Sequence, residues 1–236
     1  MEEIIYTLKT ADREGKKMRA IIFDFDYTLG DSTKGIVQSV NYALEKLGYA
    51  NQSVAEIKKT IGLSLKETFR ALTSNENQDE AEKFAVFFKE KADVVMTANT
   101  EIYPKVKDIL QNLKVKGYKT AIVTTKYHHR IDGILKKFNA THLIDLIVGS
   151  DDVKVEKPNP EGLLFAIEHL GVKKEEVLYV GDSLVDAKTA DNAGVDFAAV
   201  LTGTTKREEF ETYCPVFVGD SVADVYEYIY EYINEK

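Results

Sequence analysis

The most constraining feature of the sequence is a pair of carboxylates, one residue apart, that directly follows a short apolar run. The run Ala20–Phe23 consists of residues typical of a buried β-strand, and Asp24 and Asp26 stand at its carboxyl end. In an open parallel sheet, ligands bind beyond the carboxyl ends of the strands. Charge at this position therefore predicts a site for chemistry rather than for packing.

Further short apolar runs recur along the chain and alternate with amphipathic segments of helical length. The predicted strands cover residues 20–25, 119–124, 144–148, 177–181, 197–201 and 216–218. The predicted helices that separate or follow them cover residues 105–116, 128–138, 160–170, 186–193 and 221–234. This alternation is typical of a mainly parallel, Rossmann-like sheet covered by helices, so the predicted fold class is α/β.

One interval breaks the alternation. Between Gly30 and Tyr103 the sequence shows no convincing buried strand, only helical patterns over residues 34–47, 54–61, 65–72 and 79–96. Because an interval of this length is too long for a loop, we expect an all-helical inserted domain over residues 31–103. The predicted core then comprises residues 1–30 and 104–236.

The start of the chain needs separate treatment. Residues 1–17 precede a second methionine, Met18, and strand-like sequence begins almost at once after it. Either Met18 is the genuine start, or the first residues form an extra element, since Ile4–Leu8 is rich in strand formers. We expect an ordered extension over residues 1–19 and assign it no function.

Composition disfavours several kinds of partner. Acidic residues outnumber basic ones by 39 to 31, and no dense block of Lys and Arg marks a nucleic-acid or membrane-surface footprint. Cys214 is the only cysteine, which fits a reducing cytoplasm. No apolar window is long enough for a bilayer, and the first residues do not resemble a signal peptide. We expect a cytoplasmic protein, a monomer or weak homodimer, with neither nucleic acid nor membrane as a partner.

Other polar residues stand at the ends of later strands. Thr124 and Thr125 end the second predicted strand, Asp182 follows the fourth, and Lys157 lies in a turn before a helix. Taken singly, each has an ordinary explanation as a helix N-cap or a solvated turn. Because the carboxyl ends of parallel strands meet at one edge of the sheet, the whole set is expected to converge there.

In this order, the motifs resemble those of the haloacid dehalogenase-like hydrolase superfamily. The match extends from Ala20 to about Leu201 and rests on DFDYTL at 24–29, Thr124, KP at 157–158 and GDSLVD at 181–186. A DxD motif alone would be weak, but the ordered set is specific. The chain looks most like the phosphoglycolate-phosphatase-like group, whose members insert a helical cap after the first strand. The inserted domain predicted above matches that cap.

The resemblance implies hydrolysis of a small phosphorylated metabolite, similar to phosphoglycolate. Asp24 would attack phosphorus and form an aspartyl-phosphate. Asp26 would protonate the leaving group and then activate the attacking water, a role typically worth about 10²- to 10⁴-fold in rate.

The resemblance also implies a magnesium ion and a phosphate-binding set. Mg²⁺ would be held by Asp24, the backbone carbonyl of Asp26 and Asp182, which are oxygen ligands suited to a hard cation. Asp186 would lie behind these ligands or on a metal-bound water. The phosphoryl oxygens would be held by a set of three residues: Thr124, the backbone of Thr125, and Lys157.

Several alternatives stay open at this point. A mutase uses the same aspartyl-phosphate, but such relatives often carry Glu where Gly181 stands, and a pyrophosphatase with the same site and cap is harder to exclude. A dehalogenase does not need an acid at the position of Asp26. A receiver domain places its acidic pair and phosphoacceptor differently and lacks a helical insertion. A protein that keeps the fold without catalysis is disfavoured by the complete motif set.

Five further residues carry specific expectations. Tyr27 replaces the Gly of most family members, and because a tyrosine adopts positive φ only at a cost, we expect a negative φ with the ring between core and cap. Lys126 is an alternative to Lys157 as the phosphate-binding ammonium, although Lys157 is favoured. His128 and His129 lack metal-ligand spacing and are expected to bind no metal. Gly62 is expected to form a turn that presents cap backbone toward the site.

Overall fold

The computed structural model describes residues 18–234 of the chain. The predicted extension lies outside the described residues up to position 17, as does its strand-like segment Ile4–Leu8. Within residues 18–234, no helix has both the length and the apolar character needed to cross a bilayer.

The secondary structure alternates as predicted. The strands are β1 (Ala20–Phe23), β2 (Gly30–Asp31), β3 (Glu101–Ile102), β4 (Lys119–Val123), β5 (Leu146–Val148), β6 (Val177–Gly181), β7 (Asp196–Val200) and β8 (Phe217–Gly219). The helices are α1 (Thr33–Lys46), α2 (Val54–Lys58), α3 (Leu65–Thr73), α4 (Gln78–Val95), α5 (Val106–Val115), α6 (His128–Lys137), α7 (Glu161–Leu170), α8 (Leu184–Ala193) and α9 (Val222–Asn234).

Six strands form one parallel sheet in the order β5-β4-β1-β6-β7-β8. The sequence of connections runs outward from β1 through β4 to β5, and then outward on the other side from β6 to β8. The order therefore reverses between β1 and β6, which is the topological switch point where an open α/β sheet binds its ligands. The predicted α/β fold with a parallel, Rossmann-like sheet is confirmed.

Alternation along β1 shows how the two faces of the sheet are covered. Ile21 and Phe23 belong to an apolar cluster with α5, α6 and α9, whereas Ala20 and Ile22 belong to a second cluster with α7 and α8. Successive side chains of a strand point to opposite faces, so a strand covered on both faces is apolar at every position. This accounts for the uninterrupted apolar run before Asp24.

Helices α1–α4 form the insertion and have an apolar core of their own, which includes Phe69, Phe84 and Phe88. Polar residues set where these helices begin. Ser64 and Glu67 form a capping box at the start of α3, and the Asn77 side chain accepts a hydrogen bond from the backbone of α4. The helical pattern read from the sequence is therefore reproduced, with shifts of one to three residues at the ends.

Sequence reasoning missed the two short strands that join the insertion to the core. Gly30 pairs with Ile102 and Asp31 with Glu101 in an antiparallel ribbon. A two-residue strand is too short to show alternation, so no pattern could have revealed it. Gly30 is needed there because an added Cβ would lie 2.6 Å from the carbonyl oxygen of Glu101.

Candidate active site

The predicted site residues converge at the carboxyl edge of the sheet. Asp24 follows β1, Thr124 follows β4 and Asp182 follows β6, and β1 lies between the other two strands. The backbone N–H of Asp24 donates to the carbonyl of Val180 at 2.8 Å, so the sheet ladder fixes the position of this carboxylate. The side chains of Asp24, Thr124 and Asp182 are all buried.

Lys157 connects this edge to the start of α8. Its Nζ donates to Oδ1 of Asp24 at 2.9 Å, to Oδ1 of Asp186 at 2.6 Å and to the hydroxyl of Tyr179 at 3.1 Å. The peptide bond between Lys157 and Pro158 is cis. An ammonium has three N–H donors, so all three are engaged in holding the two carboxylates and the tyrosine.

Carboxylate oxygens of Asp24, Asp182 and Asp186 lie within 4.8 Å of one another. When the three are ionised, the ammonium of Lys157 balances one of their three negative charges. Two negative charges remain in a buried region, which is the charge of one divalent cation. Buried carboxylates need such a partner, because isolated charge is costly away from water.

Asp186 differs from the other two carboxylates because both of its oxygens are already occupied. Oδ1 accepts from Lys157 and from Tyr179 at 3.0 Å, and Oδ2 accepts from the backbone N–H of Ser183 at 3.2 Å and from its hydroxyl. Ser183 and Asp186 form the capping box of α8. The position of Asp186 behind the metal ligands, which the resemblance implies, stays a prediction.

The ionisation of these groups is strongly perturbed. Burial raises the pKa of Asp24 to about 7, and the ammonium of Lys157 opposes that rise. Burial raises the pKa of Asp182 well above its usual range, and the carboxylates of Asp186 and Asp24 add to the effect. Burial would lower the pKa of Lys157, but Asp186 and Asp24 outweigh it and hold the pKa well above its ordinary value. Such perturbation is typical of catalytic sites.

Asp26 forms a separate pair with Lys126. Oδ2 of Asp26 lies 3.0 Å from Nζ of Lys126, and both side chains are buried. Oδ1 of Asp26 is also buried and has no hydrogen-bond partner within residues 18–234. A buried carboxylate oxygen without a partner is expected to receive one from a ligand.

Two observations fit a cation in front of Asp24. Nothing in the described part of the chain donates a hydrogen bond to the backbone carbonyl of Asp26, so this oxygen is open to another partner. The absence of a side chain at Gly203 leaves room for the carboxylate of Asp182, since an added Cβ would lie only 1.9 Å from its Oδ2. Oxygen donors in this number suit Mg²⁺, which is bound in proteins by one or two carboxylates and several waters.

A cavity of about 510 Å³ lies between the core and the insertion. Core residues at its wall include Asp26, Thr125, Lys126, Ser150 and Lys157, and the insertion contributes the segment 60–68 together with residues of α1 and α4. Through Asp26 and Lys157, the site therefore borders a cavity that the core and the insertion line together.

Gly62 lies where the insertion meets the core. It has a φ of +97°, and a Cβ added there would lie 3.7 Å from Oγ of Ser183. The expectation that Gly62 forms a turn presenting backbone toward the site agrees with this geometry. A side chain would both strain this turn and enter the gap beside α8.

The expectation for Tyr27 is wrong in one respect. Its φ is +59°, in the left-handed region, rather than negative. The turn around it fixes this conformation: the N–H of Tyr27 donates to the carbonyl of Gly30 at 2.8 Å, and the hydroxyl of Thr202 donates to the carbonyl of Tyr27. These bonds and the burial of the ring offset a left-handed residue that costs about 1–2 kcal/mol.

The position of the Tyr27 ring agrees with the expectation. Its hydroxyl and Oγ1 of Thr33 lie 2.7 Å apart at the start of α1, and Nζ of Lys58 lies 5.9 Å from the ring centroid. Both partners belong to the insertion. Tyr27 therefore links the loop of Asp24 and Asp26 to the insertion instead of pointing at the carboxylate cluster.

His128 and His129 are engaged in contacts with acidic side chains. Nδ1 of His128 lies 2.7 Å from Asp152, and Nε2 of His129 lies 2.9 Å from Asp93. Neither histidine belongs to the carboxylate cluster. The imidazoles therefore act as surface partners at the start of α6.

Sequence reasoning missed Tyr179, Ser150 and Gly203. Tyr179 stands in the middle of β6, in the predicted strand 177–181, and its fully buried hydroxyl contacts both Lys157 and Asp186. A tyrosine in an otherwise aliphatic strand is a weak signal of such a bond, because a buried hydroxyl needs a partner. Ser150 and Gly203 lie in loops where the sequence carries no comparable signal.

Comparison with known proteins agrees with this geometry. The family model for haloacid dehalogenase-like hydrolases matches residues 21–200. A pyrophosphatase, PpaX, from Bacillus cereus is 34% identical over 210 residues, which cover 89% of this chain and 95% of the relative.

Solved structures show the same fold. A haloacid dehalogenase-like hydrolase from Bacteroides fragilis superposes with a TM-score of 0.85 at 41% identity, covering 89% of this chain and all of the other. A predicted phosphoglycolate phosphatase from Haemophilus somnus has a TM-score of 0.80 at 25% identity, covering 90% and 98% of the two chains. From the family match and these relatives, we conclude that this chain belongs to the haloacid dehalogenase-like hydrolase family.

Proposed function

We propose that this phosphatase hydrolyses a small phosphorylated metabolite similar to phosphoglycolate, with Asp24 as nucleophile and Mg²⁺ as cofactor. The observation that carries the proposal is the convergence of Asp24, Asp182 and Lys157 at the switch point of the sheet, beside a cavity that Lys157 lines. Phosphate monoesters resist hydrolysis strongly, so their cleavage needs charge neutralisation together with a positioned nucleophile.

Mg²⁺ would be held by the carboxylates of Asp24 and Asp182 and by the backbone carbonyl of Asp26. When bound, the cation supplies positive charge that reduces repulsion between an anionic nucleophile and the anionic phosphoryl group. The charge left unbalanced in the cluster supports a divalent ion over a monovalent one.

Asp24 is the best-placed nucleophile of the cluster. The sheet ladder fixes its backbone, and Lys157 holds Oδ1, so we assign the attack to Oδ2. Attack by this oxygen on phosphorus gives an aspartyl-phosphate and expels the leaving alkoxide. Water then cleaves the acyl-phosphate and regenerates the carboxylate.

Asp26 is positioned to move the protons of both steps. Its Oδ1 is buried without a partner, whereas Oδ2 is held by Lys126. Oδ1 would donate a proton to the leaving oxygen in the first step and accept one from water in the second. General acid–base catalysis of this kind is typically worth about 10²- to 10⁴-fold in rate.

Thr124, the backbone N–H of Thr125 and Lys157 would hold the phosphoryl oxygens that develop charge in the transition state. Thr124 follows β4 next to Asp24, and Thr125 lines the cavity. The three donors of Lys157 are engaged in the substrate-free structure, so we propose that one of them turns to the phosphoryl group when substrate binds.

We propose that the insertion over residues 31–103 acts as a cap. Its segment 60–68 and the core both line the cavity, and the ribbon of β2 and β3 connects the two parts. A closed cap excludes bulk water and strengthens the electrostatic interactions of phosphoryl transfer.

A mutase reaction is disfavoured by Gly181. An added Cβ at this position would lie 2.5 Å from Cβ and Cγ of Asp186, so the Glu found in many mutases would displace the carboxylate that holds Lys157. A pyrophosphatase reaction is the second candidate, because the curated relative at 34% identity is named pyrophosphatase PpaX. It would use the same residues with phosphate as the leaving group.

The test is phosphate release from phosphoglycolate, pyrophosphate, sugar phosphates and nucleoside monophosphates in the presence of Mg²⁺. We expect Asp24→Asn to lower kcat by at least about 10³-fold, because the amide is a poor nucleophile and only binding and orientation remain. Asp191→Asn, the same change at an exposed position of α8, should leave kcat unchanged. Parental turnover by Asp24→Asn would exclude the assigned nucleophile, and isomerised sugar phosphate with little free phosphate would indicate a mutase.

A further inference from the structure

We propose that Lys126 and Ser150 form a subsite for an oxyanion on the leaving group of the substrate. The physiological substrate is then a phosphate compound whose leaving group itself carries a carboxylate or a phosphate. This inference rests on the proposed function and adds the residues that select the leaving group.

Lys126 is a buried ammonium with donors to spare. Only 4% of its side chain is exposed, and within residues 18–234 its ion-pair partner is Asp26, at 3.0 Å. Lys157, by comparison, divides its three donors among Asp24, Asp186 and Tyr179. An ammonium can donate three hydrogen bonds, so Lys126 keeps capacity for an acceptor that enters the cavity.

Ser150 lies next to Lys126. Its backbone N–H donates to the carbonyl of Lys126 at 3.2 Å, and both residues line the cavity. The side chain of Ser150 is more than nine-tenths buried, and its Oγ has no hydrogen-bond partner in the described part of the chain. A buried hydroxyl without a partner costs stability unless a ligand or a water satisfies it.

Lys126 lies next to Asp26, and this position indicates that Lys126 and Ser150 would contact the leaving group of the substrate. Asp26 is proposed to protonate the leaving oxygen through Oδ1, and Lys126 contacts its other oxygen, Oδ2. Lys126 and Ser150 therefore lie on the leaving-group side, whereas Lys157 and Asp24 lie on the phosphoryl side. An oxyanion a few bonds beyond the leaving oxygen would meet an ammonium and a hydroxyl donor, a pairing that suits carboxylate or phosphate.

Arg130 also lines the cavity but is less available. Its Nε and one terminal nitrogen donate to Oδ1 of Asp93 at 2.8 and 2.7 Å, and that terminal nitrogen also lies 3.3 Å from the carbonyl of Lys89. The guanidinium is thus held against α4. Lys126 lies on the core wall instead, where its ion-pair partner among residues 18–234 is Asp26.

The test compares three substrates: ethyl phosphate, whose alkoxide leaving group needs protonation but carries no oxyanion, phosphoglycolate, and pyrophosphate. We expect Lys126→Met to lower kcat/KM for at least one of the two oxyanion substrates by about 10- to 100-fold more than for ethyl phosphate. Ser150→Ala should also lower kcat/KM more for the oxyanion substrate than for the comparison substrate, by a smaller factor of about threefold to tenfold. The substrate that shows the larger differential loss identifies the oxyanion as carboxylate or phosphate.

Two controls make the outcome specific. Lys83→Met, at an exposed position of α4, should leave all three rates unchanged. In the Asp24→Asn background, which binds without turning over, Lys126→Met should weaken phosphoglycolate or pyrophosphate in calorimetric titration while leaving methyl phosphate unaffected. This binding measurement does not depend on proton transfer by Asp26.

Equal losses for all three substrates would overturn the subsite, because Lys126 would then act only by orienting Asp26. The same holds if neither variant alters binding in the Asp24→Asn background. Failure of the proposed function has a different signature, namely that the parent protein hydrolyses none of the three compounds. Ser150→Ala keeps the test informative if Lys126→Met does not fold.

Discussion

The core site and the helical insertion bury opposite kinds of side chain. At the carboxyl edge of the sheet, four charged residues are almost fully buried: Asp24, Lys157, Asp182 and Asp186. Lys157 pairs with Asp24 and Asp186, whereas Asp182 accepts a hydrogen bond from Thr28 at 3.4 Å. The insertion instead buries a chain of aromatic rings, in which Phe69 contacts Phe84 and Phe84 contacts Phe88 with centroids 5.5 and 6.4 Å apart. Its charged residues lie mostly at the surface.

This difference indicates that the core site and the insertion have separate roles. Burying charged side chains lowers the stability of the fold unless each charge has a partner. The hydrogen bonds between such partners also restrict the movement of their side chains. An apolar helical unit tolerates changes of sequence as long as volume and pattern are kept. The core is therefore expected to fix the reaction, and the insertion to shape the space in which the leaving group lies.

The largest effect is expected from removing the ammonium of Lys157, which pairs with two carboxylates of the core cluster. Lys157→Met leaves Asp24 and Asp186 without their buried partner, so kcat should fall by about 10²- to 10³-fold. Breaking a buried pair from one side typically costs about 3–5 kcal/mol in the free energy of unfolding. Enzyme kinetics and urea unfolding measure the two losses, and Lys188→Met, at an exposed position of α8, should produce neither. An active, equally stable Lys157→Met protein would contradict the role assigned to the cluster.

A change in the insertion should separate stability from chemistry. Phe84→Ala removes a fully buried ring, and such truncations typically cost about 3–5 kcal/mol. Mg²⁺ affinity at the core site should stay within about twofold of the parent, since distant sites act independently. Phe165→Ala, at a ring that is 47% exposed, is the matched control for unfolding and should cost far less. Loss of Mg²⁺ binding in folded Phe84→Ala would show that the two regions are not separable.

A smaller and more local effect is expected at Gly203. The Cβ introduced by Gly203→Ala would collide with Oδ2 of Asp182 and turn that carboxylate away from Asp24. Changes next to a metal ligand typically cost about 10- to 100-fold in metal affinity. Calorimetric titration with Mg²⁺ measures this, with urea unfolding as the check on folding. Unchanged affinity would argue that Asp182 is not a ligand.

The smallest effect is expected from breaking the ion pair between Asp145 and Lys114, which belongs to neither region. Burial would raise the pKa of Asp145, but hydrogen bonds from Lys114 and the backbone of Thr120 outweigh it and lower the pKa. A lowered pKa in the folded state adds stability above the unfolded pKa of about 3.9, and this stability is lost as pH falls through the folded value.

Asp145→Asn should therefore cost less than about 1 kcal/mol at pH 7, as for other partly exposed pairs. The difference from the parent should shrink as the pH is lowered below about 4. Unfolding midpoints in urea across this range provide the measurement. A difference that grows on acidification would mean that the sign of the pKa change is wrong.

The sequence predicted where the candidate site residues lie better than it predicted the contacts between them. Asp24, Thr124 and Asp182 were located correctly at strand ends because an apolar run that stops at a polar residue marks the edge of a parallel sheet. Lys157 was placed at the same edge by the family motif, and the structure adds its contact with Tyr179, which links it to β6. Such contacts join residues far apart in the chain and leave no local pattern.

Local conformation was predictable only where the residue itself determines it. Gly194 ends α8 with a φ of +69°, as a C-terminal glycine should. Tyr27 adopts positive φ against its own preference, because Thr202 and Gly30 fix the turn from outside. The ribbon of β2 and β3 and the unpartnered hydroxyl of Ser150 likewise depend on tertiary contacts.

The most direct test of the account is a crystal structure of the protein with Mg²⁺, because its central claim is that Asp24 and Asp182 share one divalent cation. We predict a single ion about 2.0–2.1 Å from a carboxylate oxygen of each residue, with the backbone carbonyl of Asp26 as a third ligand. Asp186 should keep its bonds to Lys157 and Ser183. An ion bound elsewhere, or Asp24 and Asp182 bound to different ions, would contradict the account.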